Sequence, residues 1–405
     1  MCWAGRSSAR EWCKPFTNDG QAHAWLFSSL LQVVVCAACG YNSPGGRNLT
    51  RQERNPELQD ITWATLKRIA ASQVEEIYQR ALLMDRIHAI GPVGRRTLAA
   101  SMQLSEREVR AAAEALKAEG LIVLNTSGML LSEEGLNLLP EVRALCRSIS
   151  GLFDLESQLK ERLGLDQLAV VPGDADQDRM VLVDLGRATA QFLHQVLKDN
   201  MIIAVSGGST MSEVARAMTP VSGSIMVVPA RGGFGRMAQM QADAVASELA
   251  QHIGGDYRLM HLPEGMDSDT LSKAAKLPGV RATLALMRNA DIILYGVGRA
   301  DDMAQRRGFS LSLRRQLMKE GAVGEALGDF FNIAGKVIHQ SPSLSSELGT
   351  GKHGAVSIMS AAGTRKAEAV LAAVRWHPPW ALVVDEGLGY AILDLLNKGD
   401  HTSSK

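Results

Sequence analysis

The spacing of apolar side chains changes at about residue 165. Before about residue 165, apolar positions recur every three or four residues, which predicts amphipathic helices. After it, short apolar runs alternate with helical patterns and end in turns rich in Gly, Ser or Asp, which predicts an α/β domain with a mostly parallel sheet. The predicted strands are 168–171, 202–205, 225–228, 258–262, 292–295, 357–359 and 381–384.

Residues 95–131 begin with a pattern that predicts two short helices joined by a turn at 103–104. Leu98 lies on the inner face of the first helix. Ser105 and Glu108 have the spacing of a capping box, in which each side chain accepts a hydrogen bond from a backbone N–H of the other residue. A second helix therefore begins here and runs to about residue 118. Its core positions are Val109, Ala112, Ala113 and Leu116.

The same segment ends in a predicted β-hairpin. Apolar runs at 121–124 and 129–131 flank the turn sequence Asn-Thr-Ser-Gly. Two helices followed by such a hairpin predict an all-α winged helix-turn-helix domain whose wing is the hairpin and whose second helix meets base edges. The alternative is a plain helical hairpin within a larger domain. The candidate DNA-binding residues are Arg95, Arg96, Ser105, Glu106, Arg107 and Arg110.

Composition restricts the ways in which the chain could reach DNA. Lys and Arg number 43 and Asp and Glu also number 43, so the formal net charge is zero. No global field draws such a chain onto nucleic acid, and any attraction must come from local clusters. Past residue 39 the only cysteine is Cys146. The main body therefore has no disulfide framework, which favours a cytoplasmic location.

The first 58 residues differ in character from the rest. An apolar run at 25–39 resembles the hydrophobic region of a secretory signal, although about 15 residues are few for a membrane span. Export conflicts with DNA binding, so we expect a disordered extension or a start site placed too early. An alternative is that the cysteines of this segment hold zinc. They are Cys2, Cys13, Cys36 and Cys39.

Breaks in the pattern predict four regions. A helix at 133–139 is expected to end at Pro140, because proline lacks a backbone N–H. Apolar spacing from residue 141 onward then suits either a dimerisation face or a helix packed on its own domain. The regions are 1–58, the N-terminal extension; 59–140, the helix-turn-helix domain; 141–165, a linker or oligomerisation helix; and 166–400, the effector domain.

The turns after the predicted strands carry the residues of a candidate anion site. In the segment 206–210, two glycines allow close approach, and Ser209 and Thr210 offer hydroxyls at a helix N-terminus. A tight turn without a ligand is the alternative. Arg231, flanked by Gly232 and Gly233, follows the next strand and could fork onto phosphate oxygens. The further candidates are Arg306 and Lys366 as cations and Glu325 as an acceptor of sugar hydroxyls.

Other polar residues near these turns have simpler explanations. Arg307, Arg365 and Glu368 are expected on solvated helix faces. Asp385 and Glu386 follow a strand and could act as acid and base, but capping of the next helix explains them equally well. The histidines show no metal spacing, and no nucleophile is paired with a base. We therefore predict no catalytic residues and no metal site.

Taken in order, these motifs resemble the SorC family of bacterial transcription regulators. The resemblance rests on the helix-turn-helix pattern, Ser-Gly-Gly-Ser-Thr at 206–210, Pro-Ala-Arg-Gly-Gly at 229–233, Met-Ala-Gln-Arg-Arg at 303–307 and Gly-Thr-Arg-Lys-Ala-Glu-Ala at 363–369. The segments at 229–233 and 303–307 are typical of the subgroup that represses glycolytic operons. The likeness covers roughly residues 60–395.

The resemblance implies a DNA-binding repressor rather than an enzyme. Its effector would be fructose 1,6-bisphosphate, with no other cofactor, and it would act on operator DNA as a homo-oligomer, a dimer of dimers. The effector domain would be Rossmann-like and similar to glucosamine-6-phosphate deaminase and ribose-5-phosphate isomerase. An isomerase or deaminase with an accessory helical domain, or a sugar-binding module without DNA affinity, are the alternatives. The implied effector contacts are Ser209, Thr210, Arg231, Gly232, Gly233, Arg306, Glu325 and Lys366.

Overall fold

The computed structural model describes residues 65–403 except for 103, 234–237, 261, 263–265, 343–347 and 349–353. The chain divides into two units, residues 1–72 and residues 73–405. The extension at 1–58, with its apolar run and four cysteines, lies outside the described residues, as does the turn residue Gln103. All elements described below belong to the second unit, apart from the first two residues of its first helix.

In its described residues, the N-terminal part of the second unit contains three helices and a hairpin. Helix α2 is followed by α3, and Ser105 and Glu108 form the predicted capping box, with Ser105 N donating to Glu108 Oε2 over 2.8 Å. The predicted all-α class is therefore wrong for this part, because the hairpin forms a two-stranded antiparallel sheet. The elements are α1 Ala71–Ile90, α2 Arg95–Met102, α3 Glu106–Ala118, β1 Ile122–Asn125 and β2 Gly128–Leu131.

Buried apolar side chains from each of these elements form one core. Leu98 and Val109 are fully buried, as the spacing predicted. The hairpin is anchored to this core at Val93, which exchanges backbone hydrogen bonds of 3.1 and 2.8 Å with Met129. At its tip, Asn125 Oδ1 accepts from two backbone amides of the turn. The hairpin therefore has a fixed position beside α3.

The prediction that Pro140 ends a helix is wrong. Helix α4 runs through it, Glu133–Ser150, and ends at Gly151 in the left-handed conformation, before α5, Leu152–Leu163. Pro140 is exposed, and buried Leu139 and Val142 flank it on the core side, so packing outweighs the one lost backbone hydrogen bond. Residues 141–165 are consequently not one linker helix, because the division falls at Gly151.

Among the described residues, the C-terminal part contains a seven-stranded sheet whose strands are all parallel. Their order is β3-β13-β12-β7-β4-β5-β6. Six of the seven strands lie where the apolar runs predicted them, and the predicted strand 258–262 is displaced to residues 256–257. The strands are β3 Gln167–Val171, β4 Ile202–Val205, β5 Met226–Pro229, β6 Asp256–Tyr257, β7 Ile292–Tyr295, β12 Val356–Ala361 and β13 Ala381–Asp385.

Helices cover both faces of this sheet. Ile203 and Val205 of β4 pack with α6, α7 and α8, whereas Ala204 between them belongs to the core formed with α5, α10, α13 and α14. This division follows from the alternation of side chains along a strand. None of the described helices has the length and apolarity needed to cross a membrane. The helices are α6 Val181–Val196, α7 Ser209–Ala217, α8 Ala242–Ile253, α9 Ser268–Ala274, α10 Pro278–Arg288, α11 Ala300–Arg306, α12 Leu311–Lys319, α13 Ala367–Trp376 and α14 Glu386–Ser403.

A second, antiparallel sheet was not predicted from the sequence. Its order is β11-β10-β9-β8, and β8 follows directly after β7 of the large sheet. Leu327 and Gly328 join β9 to β10 with positive φ values of 50° and 104°. Leucine is rare in that conformation, so the hairpin has a weak sequence signal. The strands are β8 Gly298–Arg299, β9 Ala322–Ala326, β10 Asp329–Asn332 and β11 Val337–Gln340.

Asp184 on α6 should make stability depend on pH. Burial, and then the charge of Asp85, raises the pKa of Asp184 to about 6. The folded state thus holds this proton more tightly than the unfolded state, and the free energy of unfolding should fall as pH rises from about 4 to about 6. Asp184→Asn should remove this slope and stabilise the protein by about 1–3 kcal/mol at pH 7. Urea unfolding at pH 4, 6 and 8 measures both effects.

Asp394→Asn, a change of an exposed carboxylate on α14, is the matched control and should leave the slope as it is in the wild type. An Asp184→Asn variant with a wild-type slope would contradict the assignment.

Candidate functional site

The predicted ligand residues lie at one edge of the large sheet. All seven strands run in the same direction, so the turns that follow them meet at their common carboxyl edge. After β4 the chain builds outward to β5 and β6, and it then returns to place β7 on the other side of β4. The turns after β4 and β7 thus lead away from each other. In open α/β sheets ligands bind in the crevice at such a reversal.

The turn after β4 requires its two glycines, because the backbone there packs closely against the carbonyl of Met240. A Cβ on Gly207 would lie 2.5 Å from the carbonyl oxygen of Met240, so only glycine fits there. Gly208 has φ 121° and donates its N–H to that same carbonyl over 2.8 Å. Ser209 and Thr210 then form the first turn of α7, where free backbone N–H groups suit an anion.

Beside this turn, a buried carboxylate holds two arginines. Glu325 Oε1 accepts from Arg231 Nη1 over 3.3 Å and from Arg307 Nη2 over 2.5 Å. It also accepts from the backbone N–H of Gly328 over 2.7 Å. Burial raises the pKa of Glu325, but the two guanidinium charges outweigh burial and hold it below its usual value. In this structure Glu325 therefore orients the side chains of Arg231 and Arg307.

The expectation that Arg307 lies on a solvated helix face is wrong. Its side chain is 4% exposed, and it packs over the ring of Phe330 as well as against Glu325. The antiparallel sheet causes this burial, because Glu325 and Phe330 face each other across β9 and β10. The same expectation is confirmed for Arg365, whose side chain is 71% exposed, and for exposed Glu368.

A second group of cations follows β7 and β12. Lys366 ends a short 3-10 turn at residues 364–366, and burial is the main cause that lowers its pKa. The charges of Asp385 and Asp176 oppose that shift, whereas the charge of Arg306 adds to it. Lys366 and Arg306 are therefore close enough to repel each other. Arg306 itself is exposed at the end of α11.

The Asp385 carboxylate accepts hydrogen bonds from three backbone amides. Its Oδ2 accepts from the N–H of Ala175 over 2.7 Å and of Gly363 over 3.0 Å, and its Oδ1 caps α14 at Leu388 over 3.1 Å. The capping explanation of this residue is therefore correct. Glu386 likewise accepts from the N–H of Gly173 over 3.0 Å.

The structure brings the predicted effector residues to one edge of the sheet but gives direct contacts for only some of them. Arg231 and Glu325 touch, and Lys366 and Arg306 interact through their charges. Gly232 and Gly233 follow Arg231, and Gly233 donates its N–H to the carbonyl of Leu262 over 2.9 Å. Arg307 is the residue missed by sequence reasoning, and its only signal was its place beside Arg306.

The predicted DNA-binding residues lie on the surface around the start of α3. Arg95, Arg96, Ser105, Glu106, Arg107 and Arg110 are all exposed. Arg96 Nε lies 3.2 Å from Glu106 Oε1, so this pair joins α2 to the first turn of α3. Arg107 and Arg110 lie one turn apart on α3 and face away from its buried side.

Two family descriptions match consecutive parts of the chain. Residues 77–146 match the family described as "CggR N-terminal DNA binding domain", and residues 147–394 match "Putative sugar-binding domain". The chain is also 31% identical to a SorC family transcriptional regulator of known structure from Enterococcus faecalis, of which it covers 99%, with a TM-score of 0.56; that match covers 59% of this chain. The chain belongs to the SorC family of transcriptional regulators.

Curated relatives of this SorC-family regulator span most of its length. It is 35% identical over 317 residues to the central glycolytic genes regulator of Bacillus subtilis (strain 168), a match covering 78% of this chain and 93% of that protein. It is also 35% identical to the protein of the same name from Priestia megaterium (strain DSM 319 / IMG 1521), covering 76% of this chain and 91% of the relative. These relatives are named as regulators of central glycolytic genes, and this chain, which itself matches a sugar-binding domain family, is a regulator, not an isomerase or deaminase.

A more distant structure shares the fold alone. The full-length sorbitol operon regulator SorC from Klebsiella pneumoniae is 17% identical, with a TM-score of 0.53. It matches 80% of this SorC-family chain and 99% of its own. The overall fold is therefore retained in a protein with little sequence in common.

Removing the charge of Glu325 should destabilise this regulator. Glu325→Gln leaves two buried guanidinium groups without their shared counter-charge, which should cost about 3–5 kcal/mol. Urea unfolding at pH 7 measures the loss. Glu368→Gln, a change of an exposed carboxylate on α13, is the control and should change stability by less than about 0.5 kcal/mol. Equal stability of the two variants would contradict the role given to Glu325.

Proposed function

We propose that this protein represses glycolytic genes and that fructose 1,6-bisphosphate, bound at the carboxyl edge of the large sheet, controls its hold on operator DNA. The observation that carries the proposal is the pair of cationic groups at that edge, one centred on Arg231 and one on Lys366. Two separated cationic groups suit a sugar with two phosphates. The 35% identity to regulators named for central glycolytic genes supports the choice of genes and effector class.

The first phosphate would bind at the start of α7. There it would meet the backbone amides and the hydroxyls of Ser209 and Thr210, with Arg231, Gly232 and Gly233 on the adjacent turn. Glu325 would keep the Arg231 guanidinium oriented, which lowers the entropic cost of binding. The second phosphate would bind Arg306 and Lys366.

The DNA-binding assignment rests on the exposed N-terminal turn of α3. We propose that α2, α3 and the β1–β2 hairpin act as a winged helix-turn-helix, with Arg107 and Arg110 on the recognition helix and Arg95 and Arg96 toward the phosphate backbone. Ser105 and Glu106 would lie at the same end of α3.

The region limits of 59–140 and 166–400 remain proposals, as does the likeness of the effector domain to deaminase and isomerase folds.

Control by the effector requires different effector affinity in the DNA-bound and DNA-free arrangements of the protein. We propose a dimer of dimers, in which the relative placement of the DNA-binding parts decides operator affinity. Closure of the crevice on the bisphosphate would then shift that placement.

A thermal-shift titration tests the effector. Fructose 1,6-bisphosphate should raise the unfolding temperature strongly, and fructose 6-phosphate and dihydroxyacetone phosphate weakly, because each fills one phosphate site. Arg306→Ala should weaken bisphosphate binding about tenfold by removing a charged hydrogen bond. Arg315→Ala, which removes an exposed arginine on α12 outside the proposed site, is the control and should bind like wild type. No shift with the bisphosphate would refute the proposed effector.

A gel-shift series tests the DNA-binding surface. Arg107→Ala and Arg110→Ala should each weaken binding to a specific operator fragment about tenfold or more and leave the thermal shift with bisphosphate unchanged. Lys117→Ala, at the far end of α3, is the matched control and should bind within about twofold of wild type. Wild-type binding by both arginine variants would exclude α3 as the recognition helix.

A further inference from the structure

The loop after β3 is joined to the proposed effector loop by side chains. Thr364 Oγ1 donates to Asp174 Oδ2 over 3.0 Å, and the backbone N–H of Arg365 donates to Asp176 Oδ2 over 3.3 Å. Gly363 has φ 98°, and a Cβ there would lie 2.8 Å from Asp176 Oδ1. The two loops are therefore in close contact just before Lys366, the residue that precedes α13, so a movement of one must be accommodated by the other.

The same loop also reaches the DNA-binding part. Asp178 Oδ2 accepts from Arg86 Nη2 over 2.8 Å, and Arg86 lies on α1. Asp178 is fixed within its loop, because its N–H donates to the carbonyl of Asp174 over 2.9 Å and its Oδ1 accepts from the N–H of Met180 over 2.9 Å. A short, hydrogen-bonded segment thus connects residues 363–365 to α1.

The contact between the two parts leaves room for rearrangement. Around the Arg86–Asp178 pair lies a cavity of about 390 Å³ lined by residues from both parts. Its wall also carries the ion pairs Arg143–Asp85, over 2.6 Å, and Arg187–Asp184, over 3.0 Å. An interface of charged pairs around a cavity can repack between alternative partners more readily than a close-packed apolar core.

Charge provides the reason for a ligand to move this loop. Asp176 and Lys366 attract each other. A phosphate on Lys366 would compete with the Asp176 carboxylate for the same cation and would repel it. The displaced segment 174–178 would then pull on, or release, Arg86.

We propose that the loop of Asp174, Asp176 and Asp178 positions the effector loop and transmits effector binding to the DNA-binding part through Arg86. This inference rests on the proposed function, since it takes residues 363–366 as part of the effector site. Asp178 and Arg86 are thus positioning residues that touch neither ligand, and their contribution is to the coupling between two binding events.

Operator binding of Arg86→Gln and Asp178→Asn, with and without fructose 1,6-bisphosphate, tests the proposal. Asn keeps the Oδ1 atom that accepts from Met180, so the loop should stay folded. Both variants should bind the bisphosphate within about threefold of wild type, as measured by calorimetry. The factor by which the bisphosphate changes operator affinity, commonly about 5- to 150-fold in allosteric proteins, should fall to less than about twofold.

A conservative variant and a control separate coupling from damage to the fold. Arg86→Lys keeps a cation opposite Asp178 Oδ2 and should retain most of the wild-type factor, whereas Arg86→Gln, which lacks the charge, should not. Arg80→Ala breaks an ion pair with Glu76 within α1, on the same helix but without contact to the loop, and should respond like wild type.

The outcomes distinguish the two proposals. Variants that respond to the bisphosphate as wild type does would overturn the role of this loop and leave the proposed function intact. A wild-type protein that binds no bisphosphate, or whose operator affinity does not change with it, would overturn the proposed function first. Loss of bisphosphate binding in Arg86→Gln, with the fold retained, would also contradict a role confined to coupling.

Discussion

The common direction of the seven parallel strands is the constraint on which the site depends. Because each strand ends at the same edge, turns that are far apart in the sequence, at 206–210, 231–233 and 363–366, converge there. The reversal of the chain between β4 and β7 opens a crevice among them. The glycines of these turns then allow backbone atoms to approach a ligand, and Gly207 is the clearest case, since any Cβ would strike the Met240 carbonyl.

The antiparallel sheet adds electrostatic order to this edge. It grows directly from the end of β7 and places Glu325 between Arg231 and Arg307, all of them nearly buried. Burying charge costs free energy, and this cost is offset because the Glu325 carboxylate accepts hydrogen bonds from both guanidinium groups. Preoriented cations of this kind favour recognition of an anion over a neutral sugar. This preference fits the phosphorylated sugar that we propose as the effector.

The position of β3 places its following loop between the proposed effector site and the DNA-binding part. It lies at the edge of the sheet beside β13, so its following loop touches the turn after β12 on one side and α1 on the other. Sheet order, not proximity in sequence, therefore puts Asp178 within reach of both. A regulator that must release DNA when its effector binds is helped by a modest electrostatic attraction to DNA. The low net charge of the chain is consistent with such a regulator.

Local chemistry along the chain determined the capping box of Ser105, most strands of the parallel sheet and the glycine turns, because each depends on neighbouring residues and on burial of short apolar runs. Tertiary structure decided what depends on distant partners. Packing carried a helix through Pro140, a hairpin with Leu327 at positive φ brought Glu325 to Arg307, and sheet order placed Asp178 against α1. A side chain's type states what it can bind, but only the fold fixes which partner it meets.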